Sequence, residues 1–149
     1  IPQQIYDWPA TKFVAEFIGS PPINFLEFNG TVGKGAETIE LGDASFAIPR
    51  QLDGESGALT LGVRPEHVHL NDESAYRGEV VAVEYLGTTQ IVTLKTEHGR
   101  VKARIPSNVK VSEGDRTGLD LDARTLTLFD ATSGRALRSD ANQEVLNHG

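Results

Sequence analysis

Hydrophobic positions along this chain follow two different periods, and the change falls near residue 20. Before it, Phe13, Val14, Phe17 and Ile18 form an apolar stripe at helical spacing, with Lys12 and Glu16 outside it. This predicts a helical segment over residues 1–20, with Asp7 as a cap, Pro9 in the first turn and Gly19 as the stop. Such a helix either packs on its own domain or docks on one that precedes it. Ser20-Pro21-Pro22-Ile23-Asn24 neither continues a helix nor enters a central strand, because each proline lacks a backbone donor. Two adjacent prolines give an extended, semi-rigid connector, and the domain boundary is placed at 21–24.

From Phe25 onward the period shortens to two. Strands are expected at 26–32, 38–41, 45–48, 58–64, 67–70, 77–85, 89–96, 100–105, 117–121 and 125–129. Gly42-Asp43, Leu86-Gly87 and Glu97-His98-Gly99 carry the turn chemistry between them. In 100–105, Val101, Ala103 and Ile105 face one way and Arg100, Lys102 and Arg104 the other, as in a half-buried strand. Many short strands with glycine turns predict a mainly β domain over 25–135, a partly open OB-like barrel. Residues 136–149 are polar and aperiodic and read as a flexible tail.

Leu61-Gly62-Val63-Arg64-Pro65-Glu66-His67 is the pivot of this pattern. The apolar run stops at Pro65, which also pushes Arg64 into an extended conformation. Arg64, Glu66 and His67 are thereby expected at the rim of a sheet. An ion pair between Arg64 and Glu66 that locks the strand end is the plainer reading. A binding pair for a small anion or sugar is the alternative.

Charge and composition narrow the function. A net charge of −7 over 149 residues, with no basic face, argues against nucleic acid as a partner. The absence of cysteine rules out disulfides and thiolate metal sites. No apolar stretch approaches a membrane span. The chain begins at Ile1 and contains no methionine, so a fragment lacking an upstream part is expected.

No catalytic constellation emerges. Gly30-Thr31-Val32-Gly33-Lys34-Gly35 lacks the spacing and hydroxyl of a phosphate-binding loop and reads as a hairpin turn. Gly54-Glu55-Ser56-Gly57 is not a nucleophile elbow. His67 and His69 share a face if both lie on a strand, but no third ligand stands at fixed spacing, so no metal site is assigned. Asp120, Asp122 and Asp130 sit where aspartate serves local backbone donors. Lys95, Lys102 and Arg104 are the candidates for a small-oxyanion site, which would make the chain a stand-alone ligand sensor.

Several separated stretches share one resemblance. Leu61–His67 resembles the Leu-Gly-(Ile/Val)-Arg-Pro-Glu-His signature of the C-terminal regulatory domain in maltose-type sugar-importing ABC ATPases. Tyr6-Asp7-Trp8-Pro9-Ala10 with Phe13–Pro21 resembles the end of the ATPase domain in maltose- and glycerol-3-phosphate-type importers, and Asn24-Phe25 continues the match. Gly78-Glu79-Val80, Val83–Gly87, Leu126 with Leu128-Phe129-Asp130, and Thr132-Ser133-Gly134 match further family motifs. Ile23 and Thr127 depart from it, standing where the family has methionine and histidine.

The resemblance implies an OB-fold-like (TOBE) regulatory domain preceded by the helical end of a missing ATPase domain, which would hold the ATP and magnesium. It implies no catalytic residue and no cofactor in this chain. The implied partners are a second copy of the subunit, the transporter's membrane subunits and a regulatory protein, at the cytoplasmic face of a bacterial inner membrane. Phe25, Gly62, Arg64, Pro65, Glu66, His67, Gly78 and Gly87 are the implied regulatory or interface positions.

Overall fold

A computed structural model describes residues 3–148; Ile1, Pro2 and Gly149, which the expected helix and tail include, lie outside the described residues. Two short helices come first, α1 (Gln3–Asp7) and α2 (Lys12–Phe17). Strands β1 (Asn24–Val32), β2 (Thr38–Leu41), β3 (Ala44–Ala47) and β4 (Glu55–Val63) follow, then a single helical turn at Pro65–His67. Next come β5 (Val68–Leu70), β6 (Arg77–Tyr85), β7 (Thr89–Thr96), β8 (Gly99–Pro106) and β9 (Arg116–Leu121). A second helical turn (Ala123–Thr125), β10 (Thr127–Asp130) and α3 (Gln143–His148) complete the chain.

The strands pair antiparallel in three sheets, ordered β1-β4-β10, β2-β3 and β5-β9-β6-β7-β8. The fold is mainly β, as expected, but the sheets do not close into one hydrogen-bonded barrel. Leu26, Leu59, Leu61, Val63, Val92, Leu94, Val101 and Leu128 lie in one continuous buried core. The two-residue hairpins at Gly42-Asp43 and Glu97-His98 fix the registers Leu41↔Ala44 and Thr96↔Gly99.

β4 departs from alternation: Leu59, Thr60, Leu61, Gly62 and Val63 are all buried. One face of this strand meets the main core. The other lies under a smaller cluster of Ala15, Ile23 and Phe129, to which Phe25 and Ala136 add. The N-terminal segment therefore roofs the β1-β4-β10 sheet.

Three expectations differ from the structure, and one open alternative is narrowed. The single N-terminal helix is broken around Pro9; Thr11, and not Asp7, caps α2, accepting from the Val14 backbone N–H at 3.2 Å. Of the two alternatives for the apolar stripe, packing on its own domain is not what Phe13 and Phe17 do: they stack at 6.2 Å and are 76% and 81% exposed, and Ala15 supplies the buried contact. Lys34-Gly35 does form a turn, but it links β1 to β2 in a different sheet, so it closes no hairpin. Nor is the C-terminal segment frayed: Leu137, Ser139 and Asn142 are buried, and α3 follows them.

Candidate functional site

Arg64 directly follows β4 at φ −71°, ψ 148°, the extended conformation that Pro65 imposes. Its side chain runs under the N-terminal segment and is only 5% exposed. One terminal nitrogen donates to the carbonyls of Ala15 (3.1 Å) and Ile18 (2.7 Å), and the other to Tyr6 (3.0 Å). These are carbonyls at the ends of two helices too short to satisfy them internally, and a cation there is favoured on both counts. The Tyr6 ring lies 4.3 Å from the guanidinium carbon, adding a cation–π contact. Burial lowers the Arg64 pKa, but the group stays charged in the neutral range.

The expected Arg64–Glu66 ion pair is not formed. Backbone carbonyls occupy the guanidinium, and Glu66 instead accepts from the Tyr6 hydroxyl at 2.5 Å. Burial first, and then the bond to Glu66, pushes the Tyr6 phenol up to about 12. Pro65 and His67 complete a helical turn in which the His67 backbone N–H donates to the Arg64 carbonyl at 2.9 Å. His67 thus belongs to the turn and not to β5, so it shares no strand face with His69. Among the described residues no group of three or more His, Asp or Glu is placed to hold a metal ion.

Phe25 and Gly62 lie on the same side of the sheet as this joint. Phe25 meets Phe129 edge-on at 5.8 Å, with the Lys12 ammonium 5.3 Å above its ring. A Cβ at Gly62 would stand 2.9 Å from Phe129 and 3.1 Å from Ile23, so only glycine lets the roof settle. Gly78 and Gly87 are elsewhere. Gly78 lets β6 approach Leu94, and Gly87 (φ +89°) turns the exposed β6–β7 connection. The structure thus brings Phe25, Gly62, Arg64, Pro65, Glu66 and His67 to one joint and leaves out the other two glycines.

Lys95, Lys102 and Arg104 are strung along the outward face of β7 and β8, where Arg104 donates to the Ser20 carbonyl at 3.0 Å. Asp122 and Asp130 accept from backbone N–H groups just downstream, as read from the sequence. Asp120 instead takes the Ser74 hydroxyl and the Asn71 amide, which hold its carboxyl below the usual range.

Residues outside the expected set complete the joint. Asn24, two residues after the second proline, pairs both amide atoms with the Lys102 backbone at 2.8 Å each and so fixes β1 to β8. Tyr6, Asp7 and Trp8 come from the N-terminal segment and Thr125 from the second helical turn. Asp7, Trp8, Arg64, His67 and Thr125 line a cavity of about 280 Å³ where the two parts meet.

Comparison with known proteins agrees with this architecture. The MalK OB fold domain family matches residues 19–68, and the TOBE domain family matches residues 61–129. The sn-glycerol-3-phosphate import ATP-binding protein UgpC of Cereibacter sphaeroides is 39% identical over 144 residues, covering 91% of this chain and 38% of that protein. The trehalose/maltose import ATP-binding protein MalK of Thermococcus litoralis is 32% identical over 148 residues, covering 91% of this chain and 40% of that protein. The chain thus spans about two fifths of the length of these relatives. Among solved structures, the cytoplasmic molybdate-binding protein ModG superposes with a TM-score of 0.53 at 16% identity, over 70% of this chain and 94% of that one. That likeness is one of fold.

Proposed function

The chain belongs to the MalK OB-fold and TOBE domain families, and from that premise we propose that it is the regulatory and dimerisation part of an ABC importer's ATP-hydrolysing subunit. The solutes in this reading are sugars or glycerol-3-phosphate-like compounds, the classes that the relatives' names give. ATP and magnesium would be held by the rest of the subunit, and this chain would carry no catalytic group. Its partners would be a second copy, the membrane subunits reached through the remainder of the subunit, and a regulatory protein. The place of action would be the cytoplasmic face of the inner membrane.

The observation that supports this reading is the Arg64 clamp. A regulatory domain must transmit its position to the part it regulates, and a flexible tether transmits nothing. Here the segment that precedes the β-domain is fixed to it by three hydrogen bonds from one buried cation. The exposed Phe13 and Phe17 remain available to the rest of the subunit. Movement of one part is then movement of the other.

The test is sedimentation of the whole subunit without nucleotide, with and without residues 24–148. A dimer that survives only when those residues are present is the expected result. Equal dimerisation of the truncated subunit would remove the dimerisation role.

A further inference from the structure

The cavity at the joint combines features that suit a hydroxyl-rich ligand. It holds about 280 Å³, room for a monosaccharide or a shorter polyol but not for a longer saccharide. Two of its lining residues carry buried polar atoms without a hydrogen-bond partner among the described residues, Nε of Arg64 and Nδ1 of His67. Three of the five Arg64 N–H groups are committed to carbonyls, and Nε is the one guanidinium nitrogen that makes no bond at all. A buried donor of this kind destabilises the fold unless something accepts from it.

The other walls supply what such a ligand needs in return. His67 is held by its backbone on both sides, donating to Arg64 and accepting from the Asp122 N–H at 3.0 Å, so its ring is presented by a fixed turn. The Thr125 hydroxyl gives its proton to the Asp122 carbonyl, which leaves its lone pairs to accept. Asp7 adds carboxylate oxygens, one of them already taking the Gln3 amide at 2.9 Å. Trp8 adds a flat apolar surface on which the C–H face of a sugar ring can lie. A hydroxyl both accepts and donates, and so meets Arg64 and Asp7 at once. An inorganic oxyanion meets Arg64 but is repelled by Asp7 and by nearby Glu66.

We propose that this cavity binds a small polyhydroxylated molecule, a monosaccharide or polyol, between the N-terminal segment and the rim of the β-domain. Asp7 and Trp8 grip it from one side, and Arg64, His67 and Thr125 from the other. Occupancy therefore stiffens the joint that the Arg64 clamp already forms. Its regulatory meaning rests on the importer reading, as a solute of the imported class would tighten the joint from inside the cell; its binding does not.

Trp8 is the sole tryptophan, so its fluorescence reports on the cavity directly. The chain is titrated with glucose, glycerol, glycerol 3-phosphate and inorganic phosphate. The expected result is a saturable change with glucose or glycerol, at concentrations on the order of millimolar, consistent with so small a ligand. His67→Ala and Thr125→Ala should each weaken it by about tenfold, the loss of one good hydrogen bond, with the far-ultraviolet dichroism unchanged. Three results overturn the proposal: no saturable response to either polyol, an equal response in His67→Ala, or saturation by inorganic phosphate and glycerol 3-phosphate alone. Failure here leaves the sedimentation result standing, and failure of sedimentation leaves the binding standing.

Discussion

The two ends of the chain are both folded back onto the β core, and they are held there by opposite means. The N-terminal segment gathers its attachment around one side chain, with the Tyr6–Glu66 bond and two backbone bonds to residues 134–136 beside it. Arg64 reaches the carbonyls of Tyr6, Ala15 and Ile18 together, and Ala15 is the buried residue of α2. The C-terminal segment is fastened at many weaker points. The Leu137 N–H donates to Leu128 at 2.8 Å, Leu52 to Arg138 and Asp140 to Arg50 at 2.9 Å each, and Leu137, Ser139 and Asn142 are buried. A concentrated attachment can be released by one event, and a distributed one cannot. The N-terminal end, with three of its bonds gathered at one cation, is therefore the one that a single substitution can loosen.

Arg64→Ala tests this most severely. It removes three charge-assisted bonds and should cost roughly 3 kcal/mol of the segment's docking. Amide exchange over residues 12–18 should rise by on the order of a hundredfold while β4 and β7 stay protected. Loss of protection throughout the molecule would show that the clamp holds the whole fold and not a joint. Arg64→Lys should recover only part of the loss, since one ammonium nitrogen cannot occupy the positions of both terminal guanidinium nitrogens.

Asn142→Ala is the matching test at the other end. The Asn142 amide accepts from the Ser139 N–H at 2.7 Å and donates to the Leu137 carbonyl at 3.0 Å, both buried. Losing both should cost about 2 kcal/mol. Because the remaining attachments stay, exchange should increase at 139–148 alone. Release of residues 136–138 as well would mean that this end too depends chiefly on one group.

What could be read from the sequence follows the same division. Strand positions were legible because glycine turns and alternation are local signals, and β2, β6 and β7 fall near or at their expected limits. The rim at Arg64 was legible through Pro65. Its partners were not, because Arg64 binds backbone carbonyls and a carbonyl has no letter in a sequence. The same gap made an ion pair with Glu66 look natural. The unbroken burial of β4 could not be foreseen either, since it depends on a roof contributed by Ile23 and Ala15. The C-terminal segment looked loose because its anchors, Ser139 and Asn142, are short polar residues without periodicity.

The two ends should also part company with pH, in opposite directions. Tyr6 has its pKa raised from 10.0 to about 12 by burial and by its bond to Glu66. A raised value means stability that is complete below about pH 10 and is lost as the pH climbs toward 12. The N-terminal segment should loosen over that interval, read as Trp8 fluorescence moving together with tyrosinate absorbance. Tyr6→Phe, which cannot ionise there, should remove the coincidence.

The smallest effect belongs to the C-terminal end and to acid. Arg138 donates to the Asp53 carboxylate from its backbone N–H at 2.9 Å and from its guanidinium at 3.0 Å. Chiefly the side-chain bond holds the Asp53 pKa below its ordinary 3.8. A lowered value contributes above the unfolded pKa and is lost as pH falls through the folded one. Both side chains face solvent, so the pair is screened and its contribution is slight. Asp53→Asn should therefore flatten acid sensitivity at residues 136–140 without changing the alkaline release of the N-terminal segment. An effect on that release would mean that the two ends act as one unit. The backbone bonds between them, Lys12 to Gly134 at 2.8 Å and Ala136 to Ala10 at 2.9 Å, provide the route by which such coupling would run.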